Sequence, residues 1–206
     1  LLSNLALAVN PKLEYVKVKN EESGESYWLG KGVLEKYGIT QEGEYTEFWN
    51  EVERRKGKDL IGKSYTPLFP FFENHENAFQ VLSADYVSAE EGTGIVHQAP
   101  NFGEDDAKAC HENNIGLLEN PIDEHGFFND KITELKGKYF RDDPEVEGSV
   151  DDNANKWVLD NLGTKLFMRN QIRHSYPHCW RTDSALMYRG IKTWFVDVQK
   201  IKKTIL

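Results

Sequence analysis

The sequence predicts an α+β domain, and three observations lead there. Short apolar and β-branched runs bounded by turn residues recur through the first hundred positions. Two segments carry a helical period with matching stop signals, one after Gly103 and one over 150–162. The 206 residues, 39% hydrophobic and 29% charged, describe a globular chain long enough to bury a real core.

Taken in order, 5–9 is a short apolar strand closed by Asn10-Pro11. Tyr15, Val16 and Val18 make a second strand, 21–24 a polar turn and 27–29 the returning partner. Residues 32–37 predict one or two helical turns ended by Gly38, and the charged run 45–55 predicts a weak helix stopped by Gly57. With two prolines and four aromatics, 62–72 reads as an irregular packed loop. Residues 78–87 alternate and predict a long strand, turning at Glu90-Glu91-Gly92 to pair antiparallel with Ile95-Val96. Gly103 opens a helix to about Glu112 with Ala107 and Cys110 inward, and Asn113-Asn114 and Gly116 end it. Within 121–128, Asp123, Glu124, His125 and Gly126 read as a turn rather than metal ligands, because nothing nearby completes a coordination set. A helix over 150–162 stops at Gly163, and 194–196 and 198–206 read as a strand and a further helix.

The most informative stretch is 92–106, Gly-Thr-Gly-Ile-Val-His-Gln-Ala-Pro-Asn-Phe-Gly-Glu-Asp-Asp. Its glycines permit close approach of backbone, Ile95-Val96 reads as a buried strand core, and proline ends the strand. Glu104, Asp105 and Asp106 then suit the positive end of a helix. An imidazole, His97, and a carboxylate, Asp106, are thereby placed near one another at a strand end. Singly, each part has a bland reading: a turn, a core histidine, acids complementing a helix dipole.

A net charge of −9 argues against a surface that grips nucleic acid throughout. The segment 165–206 nevertheless carries nine Lys/Arg against Asp183 and Asp197, a balance of +7, leaving −16 for the remainder. That basic segment suits contact with an RNA end as well as ordinary solvated strands. Two cysteines, Cys110 and Cys179, suggest no disulfide framework and fit a reducing cytosol. No apolar run approaches a membrane span, and no signal peptide is visible. Because it starts at Leu1 rather than methionine, the chain is expected to be a piece of a longer protein. His174, His178 and Cys179 raise a metal-dependent hydrolase as a weaker candidate, but three ligands within six residues around Pro177 make a poor tetrahedral site.

The joint pattern GTG-x-V-H-x-A-P-x-x-G-x-D-D resembles the signature of the editing domain inserted in isoleucyl-tRNA synthetases, and 98–106 is closest to the eukaryotic cytoplasmic type. The run 174–181, His-Ser-Tyr-Pro-His-Cys-Trp-Arg, is similar to the segment that closes that domain, and 194–196 to the strand returning to the synthetase body. The resemblance implies a small β-barrel core with peripheral helices, as in valyl, isoleucyl and leucyl editing domains. It implies an editing domain over 1–190 and a return segment over 191–206. It implies hydrolysis of the ester of valine mischarged on tRNA(Ile), with no cofactor, no metal and no covalent intermediate. The implied partners are the tRNA 3′ end and the rest of the synthetase in cis, in the cytoplasm; no membrane is implied, and the fragment is expected to be a monomer.

By the same resemblance, Asp106 binds the substrate ammonium, which a fixed carboxylate pairs by charge-assisted hydrogen bonds. His97 forms a wall of the specificity pocket and helps position water. Gly92, Thr93, Gly94 and Tyr176 join them as substrate-binding residues. The family's threonine-rich peptide lies just before the segment matched by 3–9, and the chain is expected to lack that pocket wall. A non-catalytic module that binds a tRNA end or a protein is the alternative.

Overall fold

The computed structural model describes residues 1–170, 175–191 and 193–205. The strands are β1 (Ala6–Val9), β2 (Glu14–Asn20), β3 (Ser26–Gly30), β4 (Thr40–Gln41), β5 (Glu44–Tyr45), β6 (Trp49–Lys56), β7 (Gln80–Ser83) and β8 (Val96–Gln98). The helices are α1 (Glu104–Glu112), α2 (Ala154–Leu162) and α3 (Val198–Ile205). The α+β class holds, but the described strands form three open sheets, β7-β1-β8, β3-β2-β6 and β4-β5, in place of the expected closed barrel. Closure needs one continuous ladder with a consistent stagger, and here the short strands are divided among separate sheets.

β1 is the centre of the first sheet. Leu5 just before it and its own Ala6 and Ala8 are fully buried, so the segment takes the interior position, parallel to β7 and antiparallel to β8, with Leu7 opposite His97. This corrects the expected hairpin of 78–87 with Ile95-Val96. β7 is only four residues long, Val87 N–H closes a turn onto Ala84 C=O, and the amino-terminal strand lies between the two. The burial of β8 is also reversed: Val96 is 38% exposed and Gln98 fully buried. The buried amide is satisfied, accepting from the Tyr86 hydroxyl at 2.8 Å and donating to the His97 carbonyl at 3.2 Å.

The β2–β3 hairpin forms as the alternation predicts, with Val16 and Val18 fully buried. The run expected as a weak helix is instead mainly β6, paired antiparallel with β2 from Glu14↔Lys56 to Asn20↔Trp49. Glu, Arg and Lys favour helices in isolation, but they are equally at home on a solvated edge strand, and β2 offers the unpaired backbone. A short 3-10 turn at Lys31–Val33, capped at Leu34, replaces the longer helical stretch expected there, and Gly38 (φ +67°) closes a later turn onto the Glu35 carbonyl.

α1 begins where its acidic first turn predicts, but Ala109 and Cys110, not Ala107 and Cys110, are its buried residues. They pack with Leu5, Ala6, Phe79, Leu82, Ile115 and Leu118, which fixes the helix to the first sheet. α2 starts four residues later than expected because Asn153 caps it, its side chain accepting the Lys156 N–H at 3.0 Å. Asp123 behaves as a turn residue, its carboxylate accepting the N–H groups of His125 and Phe127, both at 2.9 Å. Trp194, Phe195 and Val196 form no strand and are 98%, 89% and 69% exposed, so the expected strand is corrected. A lone apolar segment without a pairing edge has nothing to complete its ladder.

Gly94 has φ +75°, and a Cβ there would stand 2.9 Å from Gly30 Cα. Gly94→Ala should therefore lower stability by about 1–3 kcal/mol, read as a lower urea midpoint; an unchanged midpoint would contradict this packing.

Candidate functional site

The junction of β8 with α1 is where the sequence motif becomes geometry. Ala99 follows the strand, and its N–H donates to Asp106 Oδ2 at 2.9 Å, tying the strand end to the first turn of the helix. Gly103, the cap residue, leaves room for that carboxylate: a Cβ there would meet Asp106 Cγ and Oδ2, both at 2.9 Å. Burial pushes the Asp106 carboxyl above its ordinary range, the Ala99 N–H opposes that, and Asp105 adds a smaller upward push.

His97 lies two residues before Ala99, on the same face of an extended segment. It borders two cavities. One, of about 270 Å³, is mostly apolar and includes Ala99, Phe102, Ile122, Phe128, Ala154 and Val158 in its lining. The other, of about 230 Å³, is lined by Leu7, Tyr65 and Pro67 through Phe69 among others. The ring is solvent-accessible at the cavity mouth yet surrounded by apolar walls, and its pKa falls to about 4. Desolvation by burial is the main cause. His97 is therefore neutral near pH 7, one nitrogen donating and the other accepting.

The remaining expected site residues lie elsewhere. Gly92, Thr93 and Gly94 line neither cavity beside His97. They pack against the second sheet: Thr93 C=O accepts the Gly30 N–H at 2.8 Å, and Gly92 C=O accepts the Tyr37 hydroxyl at 2.7 Å. Tyr176 donates to the Leu186 carbonyl at 2.7 Å and lies under the Arg141 guanidinium, beside neither cavity. Asp106 lines neither cavity itself and reaches the first through Ala99. Of the zinc candidates, His174 lies outside the described residues, and His178 Nδ1 sits 3.4 Å from Asp183 Oδ1. Among the described residues no group of three or more His, Cys, Asp and Glu could hold a metal. Sequence reasoning missed Ile122, Phe128, Ala154 and Val158 as cavity walls. Ala154 and Val158 fall on the apolar helical period of 150–162, but nothing local connects that helix with His97.

The folded His97 ring holds a proton less tightly than an unfolded one, whose pKa is about 6.5. Unfolding thus takes up a proton between about pH 4 and 6.5, and stability falls as pH drops through that window. Proton NMR titration of the ring should give a midpoint near 4; a midpoint near 6.5 would show that the cavity does not desolvate it.

No family model matches the chain. The chain is 40% identical over its whole length to an isoleucine–tRNA ligase of Chlamydia trachomatis, of which it spans 19%. It is also 40% identical, over 98% of its length, to an isoleucine–tRNA ligase of Corynebacterium diphtheriae, of which it spans 18%. The chain thus spans about a fifth of the length of these curated relatives. Among solved structures, a Plasmodium knowlesi cytosolic leucyl-tRNA synthetase editing domain is similar at 16% identity and TM-score 0.37 over 55% of this chain and 50% of that one. GlLeuRS-CP1 is similar at 19% identity and TM-score 0.41, over 59% of this chain and 50% of that one. Those structural likenesses are loose, and the assignment rests on sequence. The two ligases named lend no support to the eukaryotic cytoplasmic type expected from 98–106. Over its whole length the chain belongs with the isoleucine–tRNA ligases, as the counterpart of one segment of that family.

Proposed function

We propose that this segment carries the editing site of an isoleucine–tRNA ligase and hydrolyses the ester of valine mischarged on tRNA(Ile). The observation that carries the reading is the apolar cavity with a neutral imidazole at its mouth and a carboxylate tied to its rim at Ala99. Hydrolysis adds a water hydroxyl to the ester carbonyl carbon and a proton to the departing ribose oxygen. In this reading a neutral His97 can accept a hydrogen bond from that water. Asp106 pairs the substrate ammonium, a charge-assisted contact that a neutral residue cannot make. The cavity receives the aliphatic side chain. A second sieve of this kind is needed because one methylene is worth only about 1–3 kcal/mol in a first site, isoleucine against valine being a standard instance.

Residues 1–190 form the editing unit in this proposal and 191–206 the return toward the synthetase body. Trp194 and Phe195 would then be covered by the rest of the ligase, in cis. The other partner is the tRNA 3′ end, and the setting is the cytoplasm. No helix of the described residues is long and apolar enough to cross a membrane. A second reading, a non-catalytic module that binds a tRNA end, draws support from the bond that Asp106 spends on backbone.

Deacylation of Val-tRNA(Ile) by the full ligase containing this segment separates the two. Asp106→Asn keeps an oxygen to accept the Ala99 N–H but removes the charge. It should leave the unfolding midpoint close to wild type and slow deacylation by about 100-fold. Undiminished deacylation by this variant would contradict the ammonium assignment, and none by the wild type would favour the non-catalytic module.

A further inference from the structure

We infer that helix α2 is the size gauge of the editing site: Ala154 and Val158, one turn apart on one face, form the wall that decides which aliphatic side chain enters. The inference rests on the editing reading above and adds to it the residues that set specificity.

The choice between the two cavities comes first. An amino acid carries its ammonium and its side chain on one carbon, so both must be received on the same side of His97. Ala99, whose N–H is held by Asp106, lines the 270 Å³ cavity and not the 230 Å³ one. Asp106 is thus one hydrogen bond from a residue of the larger cavity, while the smaller cavity, lined by Leu7 and Tyr65, shares only His97 and Leu1 with it.

Within that cavity α2 is a firmly anchored wall. Ala154 and Val158 are 2% and 9% exposed, and both line the space. The helix start is held from three directions. Asn153 accepts the Lys156 N–H, its Nδ2 donates to the Ser149 carbonyl at 2.6 Å and to Asp142, and the Ala154 N–H donates to the Tyr139 carbonyl at 3.0 Å. Trp157 adds a further hold, its ring centroid lying 5.4 Å from Phe69 and 6.0 Å from Phe71, two rings stacked on each other. A wall on an anchored helix keeps its position when a ligand presses on it. Alanine at 154 leaves room that a larger residue would take, and valine at 158 takes room that alanine would free. The two positions should thus act in opposite senses.

The test uses the full ligase containing this chain, with Val158→Ala and Ala154→Val, and measures kcat/KM for deacylation of Val-tRNA(Ile) and Ile-tRNA(Ile). Val158→Ala should raise the isoleucyl-to-valyl ratio by about 10-fold or more, the scale of a methylene in a fitted pocket. Ala154→Val should lower valyl deacylation by a similar factor and retain hydrolysis of the smaller alanyl ester. Val158→Ile, which fills the space without emptying a core position, should act like Ala154→Val and covers the case where that variant fails to fold. An unchanged ratio, or a uniform loss for both esters as a purely structural role would give, overturns the gauge while leaving the editing reading intact. Absence of deacylation by the wild-type ligase overturns the editing reading and the gauge together.

Discussion

The hydrogen bond from the Ala99 N–H to Asp106 Oδ2, 2.9 Å long, fixes the relation between a strand end and a helix start, and the site is built around it. It satisfies a buried backbone donor that β8 leaves unpaired as the strand ends at Pro100. It also places negative charge in the first turn of α1, where the helix dipole favours it. Gly103 is part of the same constraint, since any side chain there would collide with the carboxylate. The cluster of Leu5, Ala6, Phe79, Leu82 and Cys110 keeps the helix from sliding along the sheet. His97 and Asp106 are consequently held by rigid elements, whatever the surrounding loops do.

The glycines of the motif answer to another constraint. Gly94 and Gly30 approach backbone to backbone, with Gly94 Cα only 3.3 Å from where a Cβ on Gly30 would sit. Together with the Gly30–Thr93 hydrogen bond, this contact joins the β7-β1-β8 sheet to the β3-β2-β6 sheet just ahead of β8. In the described structure the close approach is therefore between two segments of the chain. The motif does two jobs in sequence: its first residues dock one sheet on the other, and its last residues present the rim of a cavity.

Much of this was legible locally. The β2–β3 hairpin, the start of α1 and the Asp123 turn all depend on residues close in sequence, where turn and cap chemistry decide. The failures are non-local. β6 carries helix-favouring charges, and only β2, some 35 residues earlier, makes it a strand. β7 pairs with β1, not with its nearer neighbour β8, because a fully buried segment outcompetes a hairpin for the central position. Ala154 and Val158 lack any signature of a binding wall, being ordinary inward-facing helix residues until the chain brings α2 beside His97. Gln98, a fully buried amide in a strand, gives no signal in sequence and is explained only by Tyr86.

The central claim is that a single rim, from His97 through Ala99 to Asp106, receives the aminoacyl end of a tRNA. The most direct measurement is a crystal structure of the full ligase with a non-hydrolysable analogue in which valine is amide-linked to the terminal adenosine. The account predicts the valine ammonium within hydrogen-bond distance of Asp106 and the isopropyl group in the cavity walled by Phe128, Ala154 and Val158. An analogue bound with Asp106 untouched, or seated away from His97 beside Tyr176 and Arg141, would contradict it.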